Sequence, residues 1–339
     1  MVTGIFLYTT FVPVNYDYII IGQGIAGTML SWFLQKAGQQ VLVYDDALPN
    51  SASRVAAGII NPVSGRKFET AWLYDTIFPF AENTYHEMET ALGITCFHER
   101  MIQNIWPSAQ MEQAFKEALK NNPYLIEGGY INAANIQLNT LLPAWRKRIN
   151  VKEERFNASE VNITTTGIEY KGIKAKALIF CEGAQSPANP YWKKLKFLPN
   201  KGEALIIKAP ELQTSNIIKR GNLTIVPMGE DLYWAGATFS WDYTDALPSE
   251  TAKATLEAGL QTITHEVIDH IAAIRPSGPD RRPLVGIHPH QPHIGIFNGM
   301  GSKGCSLAPW AADQFVKHLL EAAPLQQEID IKRYFNALR

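Results

Sequence analysis

Cysteine is scarce in this chain: Cys96, Cys181 and Cys305 are the only three in 339 residues. Their spacing matches no metal-ligand pattern and offers no disulfide framework, so no metal site is expected and a reducing compartment, the cytoplasm, is the expected location. Long apolar runs are missing as well, and no stretch approaches the ~20 residues of a membrane span. Met1 to Val14 is apolar but carries no basic flank and runs almost directly into the first expected strand, so it reads as an extra arm or a misplaced start and not as a signal peptide. A surplus of charge is also absent. Lys plus Arg number 31 against 32 Asp plus Glu, for a net charge of −1. No global field therefore draws the protein to DNA, tRNA or an anionic membrane. The sequons at Asn157, Asn162 and Asn222 would matter only after secretion and carry no weight. No internal repeat and no low-complexity tail is present.

What is there is a soluble-enzyme composition, 46% hydrophobic and 19% charged, long enough for two domains with a large core. Near the start, Tyr18 to Ile21 forms a β-branched run, and Gly22-Gln23-Gly24-Ile25-Ala26-Gly27 follows at once. "TMLSWFLQKAG" then carries helical periodicity and stops at Gly38. "QQVLVYDD" reads as a second strand with Asp45 and Asp46 at its end. This is a complete βαβ dinucleotide fingerprint within about 30 residues. Gly22 makes the tight turn, Gly24 lets the backbone approach a diphosphate, and Gly27 lets helix and strand pack closely. The helix start, with Ile25 and Ala26 in its first turn, offers free N–H groups to phosphates. Asp45 can accept hydrogen bonds from a ribose diol, and its charge would repel a 2′-phosphate, so NADP fits poorly. The motif alone does not separate FAD from NAD.

A second outline, Gly299-x-Gly301-x-x-Gly304, lies between the apolar run Ile294 to Phe297 and a helix-like run from Ala308 to Leu320. Only 35 residues follow Gly304, and no convincing long return strand is among them, so a second nucleotide fold cannot be completed. A glycine turn before a helix still aims a positive end at an anionic group.

Three further segments complete the pattern: "SASRVAAGIINPVSGR" (Ser51 to Arg66), "KALIFCEGAQS" (Lys176 to Ser186) and "AAIRPSGPDRRPLVG" (Ala272 to Gly286). With Gly22 to Asp45, and in this order, they resemble the D-amino-acid oxidase and glycine oxidase family of FAD enzymes over nearly the whole chain. "EGGYINAANI" and "LTIVPMGEDLYWAGAT" look like that family's middle segments. "GSKGCSLAP" and "AAGIINP" look closest to the FAD domain of the bifunctional enzyme that matures aminomethyl-type wobble uridines in tRNA. The methyltransferase half of that enzyme and a basic surplus are both absent, and tRNA is not expected as the substrate.

The resemblance implies an α/β fold with a discontinuous, Rossmann-like FAD-binding domain over residues 15–80, 130–195 and 275–339. A substrate domain of α+β type, built on an antiparallel sheet, would take 81–129 and 196–274. The resemblance also extends the cofactor-binding set beyond the first turn to Asp46, Ser53, Arg54, Ala57, Gly58, Ile59, Gly183, Gly299, Gly301, Ser302, Lys303 and Gly304. The second glycine turn would then face the flavin itself, where the helix start and Lys303 stabilise negative charge on reduction. Arg275, before Pro276, matches the arginine that holds a substrate carboxylate in the family. The implied reaction is oxidation of the C–N bond of a small amine or amino acid by hydride transfer to flavin N5, with no obligate general base once the amine is neutral. FAD-dependent oxidation of a modified tRNA base, hydroxy-acid dehydrogenation and a flavin-binding redox sensor are the alternatives.

Strands are expected in "EALIIKA", "NLTIVPM" and "LYWAGAT", and amphipathic helices in "FPFAENTYHEMETALG", "SAQMEQAFKEALKN" and "SETAKATLEAGLQTI", the last capped by Ser249. Of Tyr233, Trp234, Phe239 and Trp241, at most half can face a ligand, because side chains alternate along a strand. His288, His290 and His293 in "IHPHQPHIG" read as loop histidines. Cys305 reads as a small buried residue, with the flavin bound non-covalently.

Overall fold

The computed structural model describes residues 15–335; the apolar stretch Met1 to Val14 lies outside them. Two large sheets carry the fold. The first has the parallel strands Val41–Tyr44, Asn15–Ile21, Ile173–Phe180 and Gln291–Asn298 side by side, with Asn150–Lys152 extending it beyond Val41–Tyr44. Ile19, Ile20, Val43, Leu178, Ile179 and Ile296 are fully buried. Such near-continuous apolar runs are what a parallel sheet covered on both faces requires.

The first helix, Ile25–Lys36, buries Met29, Leu30 and Leu34 and ends as its glycine signals, with Gly38 N–H donating to Gln35 O. Beside it runs the helix Gly304–Glu321. Ala308, Ala311 and Ala312 are wholly buried on that helix, and such small side chains let helix backbones approach closely.

The second sheet has nine strands. Its order runs Glu266–Arg275, Asn200–Lys208, Leu232–Gly236, Leu223–Gly229, Ile217–Arg220, Phe97–Ile105, Tyr130–Ile136 and Ile59–Ile60, with Leu125–Ile126 also paired to Tyr130–Ile136. All three strands expected in this sheet are present, and so are the three expected helices, as Tyr74–Leu92, Ala109–Leu119 and Glu250–Leu260. Ser249 caps the last of these, its Oγ accepting from Ala252 N–H.

Two segments pack with parts of the chain far from them in sequence. Residues 81–92 belong to the helix Tyr74–Leu92, whose Tyr85 and Met88 are fully buried in one core with the first and last long helices. Ile77, Ala81, Tyr85 and Met88 recur at helical spacing and form the face that this core covers. Conversely, Tyr130–Ile136 pairs with Phe97–Ile105 in the second sheet and not with the cofactor-side strands. The histidine segment differs from expectation. His288 and His293 lie on the paired strands Leu284–His288 and Gln291–Asn298, and His290 lies in the turn between. Among the described residues there is no group of three His, Cys, Asp or Glu that could hold a metal ion, and no helix is long and apolar enough to cross a membrane.

One buried hydrogen bond ties Tyr74–Leu92 to the last long helix: Tyr85 Oη donates to Cys305 O at 2.7 Å. Tyr85→Phe leaves that carbonyl without its partner at an unchanged shape. It should lower stability by ~1–3 kcal/mol, read as a drop in urea midpoint.

Candidate active site

A cleft opens where the carboxyl ends of the parallel strands meet the second sheet. The first glycine turn forms one wall. Gly22 sits at φ +98°, and a Cβ there would lie 2.5 Å from Cys181 O, so no other residue fits. Gly24, Ile25 and Ala26 also line the cleft. Ser53 Oγ accepts the Ile25 N–H at 2.9 Å, which leaves the other donors of that first turn for an anion. Gly27 is not on the cleft wall. A Cβ there would lie 1.9 Å from Gly22 O, so its role is to let the helix close onto the turn.

Asp45 lines the cleft at the end of the second strand. Its Oδ1 accepts from Gln23 N–H at 2.9 Å, and its Oδ2 accepts from Ala47 N–H at 3.2 Å and from Arg146 Nη1 at 2.8 Å. The carboxylate is therefore fixed and charge-balanced before any ribose arrives, with acceptor capacity left on Oδ1. Arg146 is not legible in the sequence. It closes the helix Leu138–Arg146 and also reaches Gln23 Oε1 and Glu153. Asp46, Ser53, Ala57, Gly58, Ile59 and Gly183 all line the cleft; Arg54 does not, and it lies 3.6 Å from Asp45 Oδ2.

The opposite wall is the second glycine turn. Gly301, Ser302, Gly304 and Cys305 line the cleft, whereas Gly299 and Lys303 do not. Gly301 N–H donates to Pro276 O at 3.0 Å, and Ser277 bridges Met300. The turn is thus stitched to the segment that carries Arg275. Lys303 is half-buried, and burial together with the charges of Arg282 and Arg281 pulls its pKa down. Cys305 is buried, and burial pushes its thiol up to about 12, away from any reactive thiolate. The two strand ends are joined beneath the cleft by Asn298, 1% exposed, which donates to Gly183 O at 2.8 Å and Ser186 Oγ at 2.6 Å.

Arg275 enters from the second sheet. Its Nη1 donates to Asn200 Oδ1 at 2.8 Å and Lys201 O at 3.5 Å, and its Nη2 donates to Thr238 O at 3.3 Å. The Phe239 ring stands 5.7 Å from its Cζ. Every one of these partners is neutral, and burial lowers the Arg275 pKa. A desolvated cation with donors to spare and no carboxylate is the arrangement that an incoming anion completes. Of the aromatic cluster, Trp234 lines the cleft and donates from Nε1 to Val55 O at 2.9 Å, while Tyr233 is in the core beneath the helix Glu250–Leu260. Phe239 and Trp241 are each 57% exposed. Tyr243 Oη reaches Pro199 O at 3.4 Å.

Nothing in the sequence hints at the state of Glu182. It lines the cleft beside Gly22 and Gly183, and burial raises its pKa to about 7 despite hydrogen bonds from Asn189 and Ser186. The folded protein therefore keeps a proton that the unfolded chain, with a carboxyl near 4.5, releases. Stability should fall by ~3 kcal/mol as pH rises through that window, and Glu182→Gln should flatten the fall. Urea midpoints compared at mildly acidic and mildly alkaline pH check this; parallel slopes for the two proteins would refute it.

The chain matches the family described as FAD dependent oxidoreductase (DAO) over residues 17–151 and 146–317. Glycine oxidase of Bacillus subtilis (strain 168) is 21% identical over 341 aligned residues, spanning 87% of this chain and 90% of that protein. The crystal structure of glycine oxidase from Geobacillus kaustophilus superposes with a TM-score of 0.73 at 20% identity, over 95% of this chain and 98% of that one. L-Proline dehydrogenase from P. horikoshii superposes with a TM-score of 0.76 at 14% identity, over 96% of this chain and 99% of that one. At these identities the superpositions speak to the fold. The cleft itself fits FAD: the Gly22 turn has no room for a Cβ, the first helix opens on the wall, and a fixed acid stands at the second strand's end. The chain belongs to the DAO family of FAD-dependent oxidoreductases.

Proposed function

We propose that the protein oxidises the C–N bond of a small amine or amino acid that carries a carboxylate. The observation that carries this reading is Arg275, held on the cleft wall by neutral acceptors only. A planar guanidinium with free donors takes a carboxylate through two parallel hydrogen bonds, which a lysine cannot do. The glycine oxidase likeness supports an amino-acid substrate, and the net charge of −1 favours a small molecule over tRNA.

In this reading, Gly22, Gly24, Ile25, Ala26 and Asp45 hold the adenine-nucleotide half of FAD. Met300, Gly301, Ser302 and Gly304 hold the flavin half. When bound, FAD supplies the hydride acceptor at N5. Arg275 anchors the substrate carboxylate and so fixes which C–H is presented, which is the positioning share of catalysis. The start of the helix Gly304–Glu321 and the nearby Lys303 lend positive potential to charge that develops on reduction. Trp234, Ala237 and Ala246 also line the cleft. No acid–base pair is required, because the amine reacts once neutral. Glu203 is committed elsewhere. Against the upward push of burial, hydrogen bonds from Ser249 and Lys201 hold its carboxyl below the usual range.

The test is anaerobic bleaching of the flavin against a panel of amino acids, N-methyl amino acids, hydroxy acids, amines without a carboxylate and modified nucleosides. Bleaching by amines lacking a carboxylate as fast as by amino acids would sink the reading, and bleaching by a carboxymethylaminomethyl nucleoside in tRNA would redirect it. Arg275→Met should cost ~3–5 kcal/mol in transition-state binding, a fall in kcat/KM of about two to four powers of ten. Arg275→Lys should recover part of it, with FAD content unchanged in both. Acid precipitation should release the yellow chromophore into the supernatant, as expected of a non-covalent flavin.

A further inference from the structure

We infer that Gly202 is a positioning residue for the carboxylate site, acting through Arg275; the inference rests on the carboxylate-binding reading. Gly202 lies inside the strand Asn200–Lys208, where glycine weakens a strand and marks a close approach. Its φ lies outside the left-handed region, so the backbone conformation does not demand a glycine. What demands it is a side chain. A Cβ at Gly202 would lie 2.0 Å from Arg275 Nη2, 2.3 Å from Cζ and 2.5 Å from Nη1. The three nearest atoms all belong to one guanidinium.

The register explains the geometry. Asn200 pairs directly with Arg275, and Gly202 pairs with Ala273, two residues back on the same face. Asn200, only 2% exposed, takes Nη1 on Oδ1. The rest of the guanidinium then lies flat across the Cα of Gly202. The neighbouring positions on this face, Ala204, Ala273 and Gly236, are also small. The strand is therefore a shelf, and the missing Cβ sets how deep the guanidinium rests and where its free donors stand in the cleft.

The atoms in the way are the end of a long side chain and not backbone, so a methyl group at Gly202 displaces the guanidinium and leaves the strand in place. Ordinary contact needs a separation more than an ångström greater than that available. A misplacement of about 1 Å costs on the order of a hundredfold in a positioned reaction.

The experiment uses the FAD-loaded protein as wild type, Gly202→Ala, Arg275→Met and the double variant. Anaerobic flavin reduction is followed by stopped flow with glycine, sarcosine, iminodiacetate and L-proline. With the fastest of these, Gly202→Ala should lower the second-order reduction rate by about 10–100-fold at unchanged FAD content. Added to Arg275→Met it should change the rate by less than about threefold, because the group it displaces is gone. Should Gly202→Ala alone lose FAD, the double variant should regain it. An equal loss with and without Arg275 would place the effect in the strand and overturn the inference. An unimpaired Gly202→Ala beside an impaired Arg275→Met would overturn it too, and would leave the carboxylate reading standing. An unimpaired Arg275→Met, or no reduction by any of the four compounds, would remove that reading and the inference together.

Discussion

Strand Ile173–Phe180 is paired in parallel on both sides, with Asn15–Ile21 and with Gln291–Asn298, and the rest of the site follows from that double pairing. Parallel strands end at the same edge of a sheet. Two glycine turns far apart in sequence therefore emerge beside one another, each feeding a helix whose positive end faces the same space. The middle strand's own exit, Cys181 to Gly183, fills the gap between them. One extended ligand can touch all three strand ends.

The second sheet answers a different need. The parallel edge brings backbone donors to the cleft, together with Arg155 just beyond the strand Asn150–Lys152. The second sheet, mixed because Ile217–Arg220 runs parallel to Phe97–Ile105, adds Arg275, the last residue of its edge strand Glu266–Arg275. Leu198 N–H donates to Ser277 O and Gly301 N–H to Pro276 O, so the residues just after Arg275 are bonded both to the loop that leads into Asn200–Lys208 and to the second glycine turn. The placement of Arg275 relative to the second glycine turn is thereby tied by main-chain bonds.

Much of this is legible in the amino-acid sequence itself. The first βαβ unit is local, and its periodicity, glycine spacing and terminal acid all lie within one short segment. Ser249 and the helix it caps are local too. What the sequence conceals is non-local. Nothing in "WRKRIN" says that Arg146 will reach Asp45, because the contact joins a helix end to a strand end a hundred residues earlier. Glu182 sits in a segment recognisable by pattern, yet its protonation depends on burial by distant neighbours. The helix Tyr74–Leu92 shows its apolar face plainly, but the core that face joins includes Cys305 and its neighbours, far along the chain. Tyr130–Ile136 likewise has a legible strand pattern and an illegible partner.

The two walls of the cleft also differ in when they come into being. During synthesis the Gly22 turn emerges long before the strand Gln291–Asn298 and the Gly304 helix that complete the cleft. The nascent first unit can fold its hairpin of strand and helix, yet it faces a cleft with one side missing and a sheet edge that waits for its neighbour. Closing so long a loop is slow and entropically costly. The cleft is accordingly complete only once that last long helix has emerged, and a truncated product that ends before it lacks the wall formed by Gly301 to Cys305.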